Sequence, residues 1–238
     1  MTSSGTGWAV GDLAGGPIRC AGELTRMRAW STMKVPVIVA TLQARRAGEL
    51  PGASEPTPEE RDAIEAAITR SDNDAALTLW GELGDSPAAA ARTERVLREA
   101  GDDSTTVPSA PDPRGYSPFG RAVWALDAAA TFYRALALGR LLSPADTELV
   151  LDAMGRVVPE QRWGVGAAEW EAAPPLRFKG GWGPSDAASG AYELLQVGLI
   201  GTGRDGLVVA IAATAPDYEA ATEMATLSAR ALAAPRLY

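Results

Sequence analysis

The chain has 238 residues, of which 46% are hydrophobic, and a formal net charge of −8. That length suffices for one domain or two intimate lobes around a sizeable core, and its 20 arginines are scattered, so no basic stripe predicts binding to nucleic acid or an anionic membrane. Histidine is absent and Cys20 is the single cysteine, which excludes a Ser-His-Asp triad, a Cys-His dyad, a His-ligated metal and an internal disulfide, and no cofactor or metal is predicted.

Residues 1–7 are polar and small, without the basic start or apolar core of a signal peptide. Residues 8–13 and 18–24 predict two short strands around a turn at Ala14-Gly15-Gly16-Pro17, with Cys20 expected to be a small buried hydrophobe. A helical pattern follows over about 32–47. Pro36 near its start removes a backbone hydrogen bond and predicts an irregular or 3₁₀ first turn. Thr57-Pro58-Glu59-Glu60 supplies a cap, an N1 proline and acids for a helix over 56–70. Further helices are predicted over 72–83, 86–100, 126–138 and 144–154, and the Pro/Ser/Asp/Gly-rich stretch 101–120 reads as a long functional loop. Beyond Pro174-Pro175 the pattern is strand-like over 176–182, 191–201 and 207–215, and a helix over 218–233 closes the chain. The apolar stretches 35–42 and 207–215 are too short to span a bilayer, so no transmembrane segment is expected.

Strands at both ends and helices between predict an α/β chain of the α+β type. One antiparallel sheet would be built from both termini, with an all-helical lobe inserted into it. The expected division is 1–47 with 168–238 for the sheet-containing lobe and 48–167 for the helical lobe, with the ligand cleft between them.

Only two lysines and one asparagine occur in the chain, and each lies in a short motif: Ser31-Thr32-Met33-Lys34, Ser71-Asp72-Asn73 and Lys179-Gly180-Gly181. Arginine keeps its proton, whereas a desolvated lysine becomes a neutral amine and a base. Three residues apart at a helix start, Ser31 and Lys34 share one face. Taken singly, each motif has a plainer explanation: an N-cap serine with a solvated lysine, an N-cap cluster, an edge strand with a glycine bulge. Chance expects about 0.1 Ser-x-x-Lys matches in such a chain, and the ordered trio makes coincidence a poor account.

In that order the three motifs resemble the signature of class A β-lactamases and penicillin-binding proteins. The resemblance extends over 29–36, 70–76 and Gly139-Arg140-Leu141-Leu142-Ser143, and it covers most of the chain. It implies a β-lactamase/transpeptidase-like fold, a small-molecule or peptide-like acyl substrate such as a β-lactam or a D-Ala-D-Ala-like peptide, and the cell-wall side of a bacterial membrane. By the same resemblance Ser31 is the nucleophile and Lys34 its base, with a pKa lowered by burial and a second cation. Ser71 is the proton shuttle to the leaving nitrogen. Asn73 holds the acylamido side chain, Lys179 and Gly181 belong to the substrate-binding strand, and Lys179 meets a carboxylate. The N–H groups of Ser31 and Trp182 form the oxyanion hole.

Three departures from the pattern follow. Gly180 stands where the family has a hydroxyl residue, and Trp182 is bulky where small residues are common. Residues 105–116 contain no glutamate to activate the deacylating water; their one acid, Asp112, would need burial to raise its pKa before serving as a replacement base. The expectation is an acylable serine hydrolase with weak or no β-lactam turnover. The alternative is a non-catalytic binding or scaffold domain on the same fold. Of the tryptophans, Trp8, Trp30, Trp80, Trp124, Trp163 and Trp170 are expected in packing roles, with Arg162-Trp163-Gly164 a further candidate for lining the cleft.

Overall fold

Strands from both ends of the chain meet in one five-stranded antiparallel sheet of order β2-β1-β7-β6-β5. The computed structural model describes residues 4–110, 112–185 and 190–234. The strands are β1 (Gly5–Asp12), β2 (Arg19–Gly22), β5 (Leu176–Pro184), β6 (Tyr192–Ile200) and β7 (Leu207–Ala215). A second sheet pairs β3 (Arg26–Arg28) with β4 (Val123–Ala125), a pairing not expected from the sequence.

β6 and β7 are buried on both faces, which is why they read as continuous apolar runs. Val208, Ala210 and Ala212 of β7 face one core together with α5 (Leu126–Ala137). The alternate residues Val209, Ile211 and Ala213 face the other core, under α7 (Tyr218–Ala233). On α7 the buried residues are Ala221, Ala225 and Ala229, spaced one turn apart, so the helix backbone lies close to the sheet.

The other helices are α1 (Lys34–Arg46), α2 (Pro58–Thr69), α3 (Asn73–Glu82), α4 (Ser86–Glu99) and α6 (Pro144–Gly155). Every residue of α1 from Lys34 to Leu42 is buried, as befits a helix enclosed by α3, α4 and the sheet-side core. A 3₁₀ turn, Trp30–Met33, precedes it, in agreement with the effect expected of Pro36. Helix starts follow their caps: Thr57 and Glu60 form a reciprocal capping box on α2, and Asp72 accepts from Ala75 N at 2.9 Å on α3. Cys20 departs from expectation. It is exposed, because β2 is the sheet edge and all four of its residues face solvent.

Candidate active site

The N-terminal turns of α1 and α3 and the edge strand β5 converge on one cleft. It is lined by Trp30, Ser31, Arg70, Ser71, Asn73 and Trp182, together with Leu77 and residues 115–117 and 120, and its volume is about 210 Å³. Two of these backbones are unusual. Trp30 (φ 48°) and Ser71 (φ 59°) both adopt the left-handed region without being glycine. Such conformations cost on the order of 1–3 kcal/mol each and persist where the surroundings enforce them, commonly at functional sites.

Ser31 follows Trp30 in the 3₁₀ turn and makes no side-chain cap bond there, so it is not an N-cap serine. β5 runs directly against it. A Cβ on Gly181 would lie 2.5 Å from Ser31 N and 2.6 Å from Ala29 O, so only glycine permits this approach. Ser71 occupies the tight connection between α2 and α3, where Asp72 N bonds back to Ala66 O at 3.1 Å. That turn aims the Ser71 hydroxyl at both lysines.

Lys34 is 1% exposed. Its Nζ donates to Ser71 O, to Asp72 O at 3.1 Å and to Asn73 Oδ1 at 2.8 Å, with Ser71 Oγ at 3.4 Å. Burial lowers its pKa to about 7, against a smaller opposing pull from Asp72. Lys179 is fully buried and donates to Ser71 Oγ at 2.9 Å and to Gly180 O at 2.8 Å. Burial, and then the charge of Lys34, push its pKa well below the ordinary value. The second cation therefore depresses Lys179, and burial alone depresses Lys34. Neither lysine forms an ion pair with a carboxylate among the described residues. The shared Ser71 hydroxyl bridges the two amines. Lys34 Nζ spends its donors on the Ser71–Asn73 turn in this arrangement, and no hydrogen bond links it to Ser31.

All seven residues singled out from the sequence, Ser31, Lys34, Ser71, Asn73, Lys179, Gly181 and Trp182, thus lie at or directly beneath one cleft. Gly180 has a physical reason. A Cβ there would come within 2.7 Å of the Trp163 ring, so the space of a hydroxyl side chain is filled by indole. Trp163 stands behind β5, edge-on to Trp182 at 6.3 Å, and it does not line the cleft; Arg162 lies over the Phe178 ring.

Asp112 is not placed as a base. Its carboxylate pairs with Arg114 at 3.3 Å and Arg121 at 3.2 Å, and it accepts from Arg114 N at 2.7 Å. The hydrogen bonds from Arg114 hold its pKa below the usual carboxylate range, and it is absent from the cleft wall. Sequence reasoning missed Arg70, Leu77, Tyr116 and Ser117 as lining residues. Their signals were adjacency to Ser71, one helical turn from Asn73, and membership of the long 101–120 loop.

No protein-family model matches the chain, and no curated protein matches it by sequence. Solved structures do. A mutant of the class A β-lactamase of the last common ancestor of Gram-negative bacteria is 24% identical, with a TM-score of 0.75 over 95% of this chain and 91% of that one. A β-lactamase from Xanthomonas campestris is 21% identical (TM-score 0.72, 97% and 91% covered). The chromosome-encoded β-lactamase of Vibrio parahaemolyticus is 17% identical (TM-score 0.73, 96% and 92%). The chain has the class A β-lactamase fold.

Proposed function

We propose that the protein is a penicillin-recognising serine acyl-transferase or hydrolase that acylates readily and turns β-lactams over slowly. The observation that carries this reading is the desolvated Lys34–Ser71–Lys179 array beneath Ser31, in which Lys34 is a half-neutral amine near pH 7. In the proposed cycle the 1–47 and 168–238 lobe and the 48–167 lobe hold the substrate between them. Lys34 leaves its bond to Asn73 Oδ1 and takes the Ser31 hydroxyl proton while Ser31 Oγ forms a bond to the acyl carbon. The N–H groups of Ser31 and Trp182 receive the oxyanion. As the C–N bond breaks, the Ser71 hydroxyl gives its proton to the leaving nitrogen and regains one from Lys34. The acyl-enzyme then waits for a water that no glutamate of 105–116 activates, and Asp112 is locked to its arginines.

Asn73 is the proposed contact for an acylamido group, freed when Lys34 turns to Ser31. Lys179 acts on the substrate by holding Ser71, since its own donors face Ser71 Oγ and Gly180 O. Intact-protein mass spectrometry with a β-lactam panel tests the proposal. A stable adduct on wild type, absent from Ser31→Ala, is expected, together with slow nitrocefin hydrolysis. Fast steady-state hydrolysis refutes the slow-turnover half, and no adduct with any panel member refutes the whole.

One observation favours a second reading, a binding domain without turnover: Lys34 Nζ is occupied by the Ser71–Asn73 turn and not by Ser31. Ligand-induced thermal stabilisation without any mass change would select it.

A further inference from the structure

Around Trp30 the molecule concentrates contacts that the acylation scheme does not use. Its indole Nε1–H donates to Glu193 Oε1 at 3.2 Å, across 163 residues of chain. The same oxygen is paired with Arg28 Nε at 3.1 Å. Arg28 also donates to Ser185 O at 2.6 Å and Pro184 O at 3.3 Å, and its guanidinium lies 5.7 Å from the indole centroid. Glu193 reaches this position because it is the register partner of Gly183, and cross-strand partners project from the same face. Gly183 leaves the floor open: a Cβ there would fall 2.3 Å from the Trp30 ring. Tyr116 closes the remaining side, edge-on at 5.2 Å.

We propose that Glu193, braced by Arg28, is a positioning residue that clamps the Trp30 indole and so holds the Trp30 backbone in the left-handed conformation that sets Ser31 against β5. A tryptophan does not hold φ near 48° on its own preference, so its surroundings must over-determine it. The ring is fixed at its polar end by one hydrogen bond, below by a glycine and laterally by an aromatic edge. With the side chain immobile, relaxation of φ would require the backbone on both sides to move, and the next residue is Ser31. Burial raises the Glu193 pKa; Arg28 opposes that rise and ties the carboxylate to the end of β5, the strand whose Gly181 packs against Ser31 N. The inference rests on the reading of Ser31 as nucleophile.

The test compares Glu193→Leu, which removes the acceptor, with Glu193→Gln, whose amide oxygen still accepts from the indole. The first should slow covalent labelling of Ser31 by about tenfold or more, since small misplacements of reacting groups carry large rate costs. Reversible β-lactam affinity should change less, and Glu193→Gln should restore most of the rate. Trp30→Phe, which keeps the ring and loses the donor, should match Glu193→Leu and serves if that variant fails to fold. Wild-type labelling rates in Glu193→Leu or Trp30→Phe overturn the proposal, as does a Gln variant no faster than Leu. If wild type itself takes no label, the hydrolase reading falls, and the crystal structure of a variant decides the clamp by itself: Trp30 φ relaxed to negative values supports it, and φ retained near the wild-type value overturns it.

Discussion

Protonating Lys34 is the perturbation with the most direct consequence. With a pKa of about 7, the neutral fraction is ~9% at pH 6, ~50% at pH 7 and ~91% at pH 8. An ordinary lysine would be only ~0.03% neutral at pH 7. If the neutral amine is the base, the rate constant for labelling Ser31 rises about tenfold between pH 6 and pH 8 and then levels off. A solvated lysine would instead give about a tenfold rise per pH unit up to roughly pH 10. Rapid-mixing measurements with a fluorescent penicillin distinguish the two curves. Lys34→Arg, which cannot deprotonate, should lose labelling by at least about a hundredfold.

The same shift makes a stability prediction with a definite sign. Lys34 titrates lower in the folded chain than in the unfolded one, so between about pH 7 and pH 10 the unfolded chain binds more protons, and stability rises with pH. Below pH 7 both states are protonated, and the full cost of a buried ammonium is present. From pH 6 to pH 9 the folded chain recovers about two pKa units of that cost, or about 3 kcal/mol. Lys34→Met should therefore gain about 3 kcal/mol more stability, relative to wild type, at pH 6 than at pH 9. Urea denaturation at both pH values measures it. A labelling rate without a plateau, together with a pH-independent effect of Lys34→Met, would refute the desolvated amine.

Three further outcomes follow from packing and charge. Gly180→Thr should cost about 1–3 kcal/mol by driving a Cβ into the Trp163 ring, and Trp163→Ala in the same chain should relieve much of that cost; additive losses in denaturation would contradict it. Partial burial beside Glu60 raises the pKa of the half-buried Glu82 to about 7, so the proton it keeps stabilises the fold at acid pH and that contribution is lost as pH rises through neutrality. Glu82→Gln should thus raise the melting temperature at pH 8 and leave it little changed at pH 4, as read by calorimetry. Arg70 lines the cleft without an ion pair among the described residues, so Arg70→Ala should weaken labelling by an anionic β-lactam about two- to fivefold at low salt and spare its neutral ester.

Much of this fold is legible in the sequence because its punctuation is local. Thr57-Pro58, Asp72 and Ser143-Pro144 mark helix starts, and β7 and α7 fall where their apolar patterns place them. The β3–β4 pair escapes, since three-residue strands carry no period and their partners lie about a hundred residues apart. Cys20 was misplaced for a similar reason: whether β2 is an edge or an interior strand depends on the order of the sheet. The site is legible where it uses rare residue types. Arg70, Tyr116 and Ser117 are ordinary residues, and a tryptophan in the sequence does not announce a left-handed Trp30 or a Trp163 filling the space beside Gly180.

The division of labour between the two cations gives the rare lysines their meaning. Where this chain buries an arginine it brings carboxylates: Arg45, 6% exposed, is paired with Glu60 and flanked by Glu82. A permanent charge inside the protein requires that partner. Lys34 and Lys179 are buried more deeply and face only carbonyl, hydroxyl and amide oxygens. Such surroundings solvate an ammonium partially and do not neutralise it, so its proton is held weakly. Because the charge on Lys34 further depresses Lys179, the two amines disfavour simultaneous protonation. The proposed shuttle needs a weakly held proton on Lys34 that can pass to the Ser71 hydroxyl, with Lys179 holding that hydroxyl in place. Arginine at position 34 would keep its proton and stop the transfer.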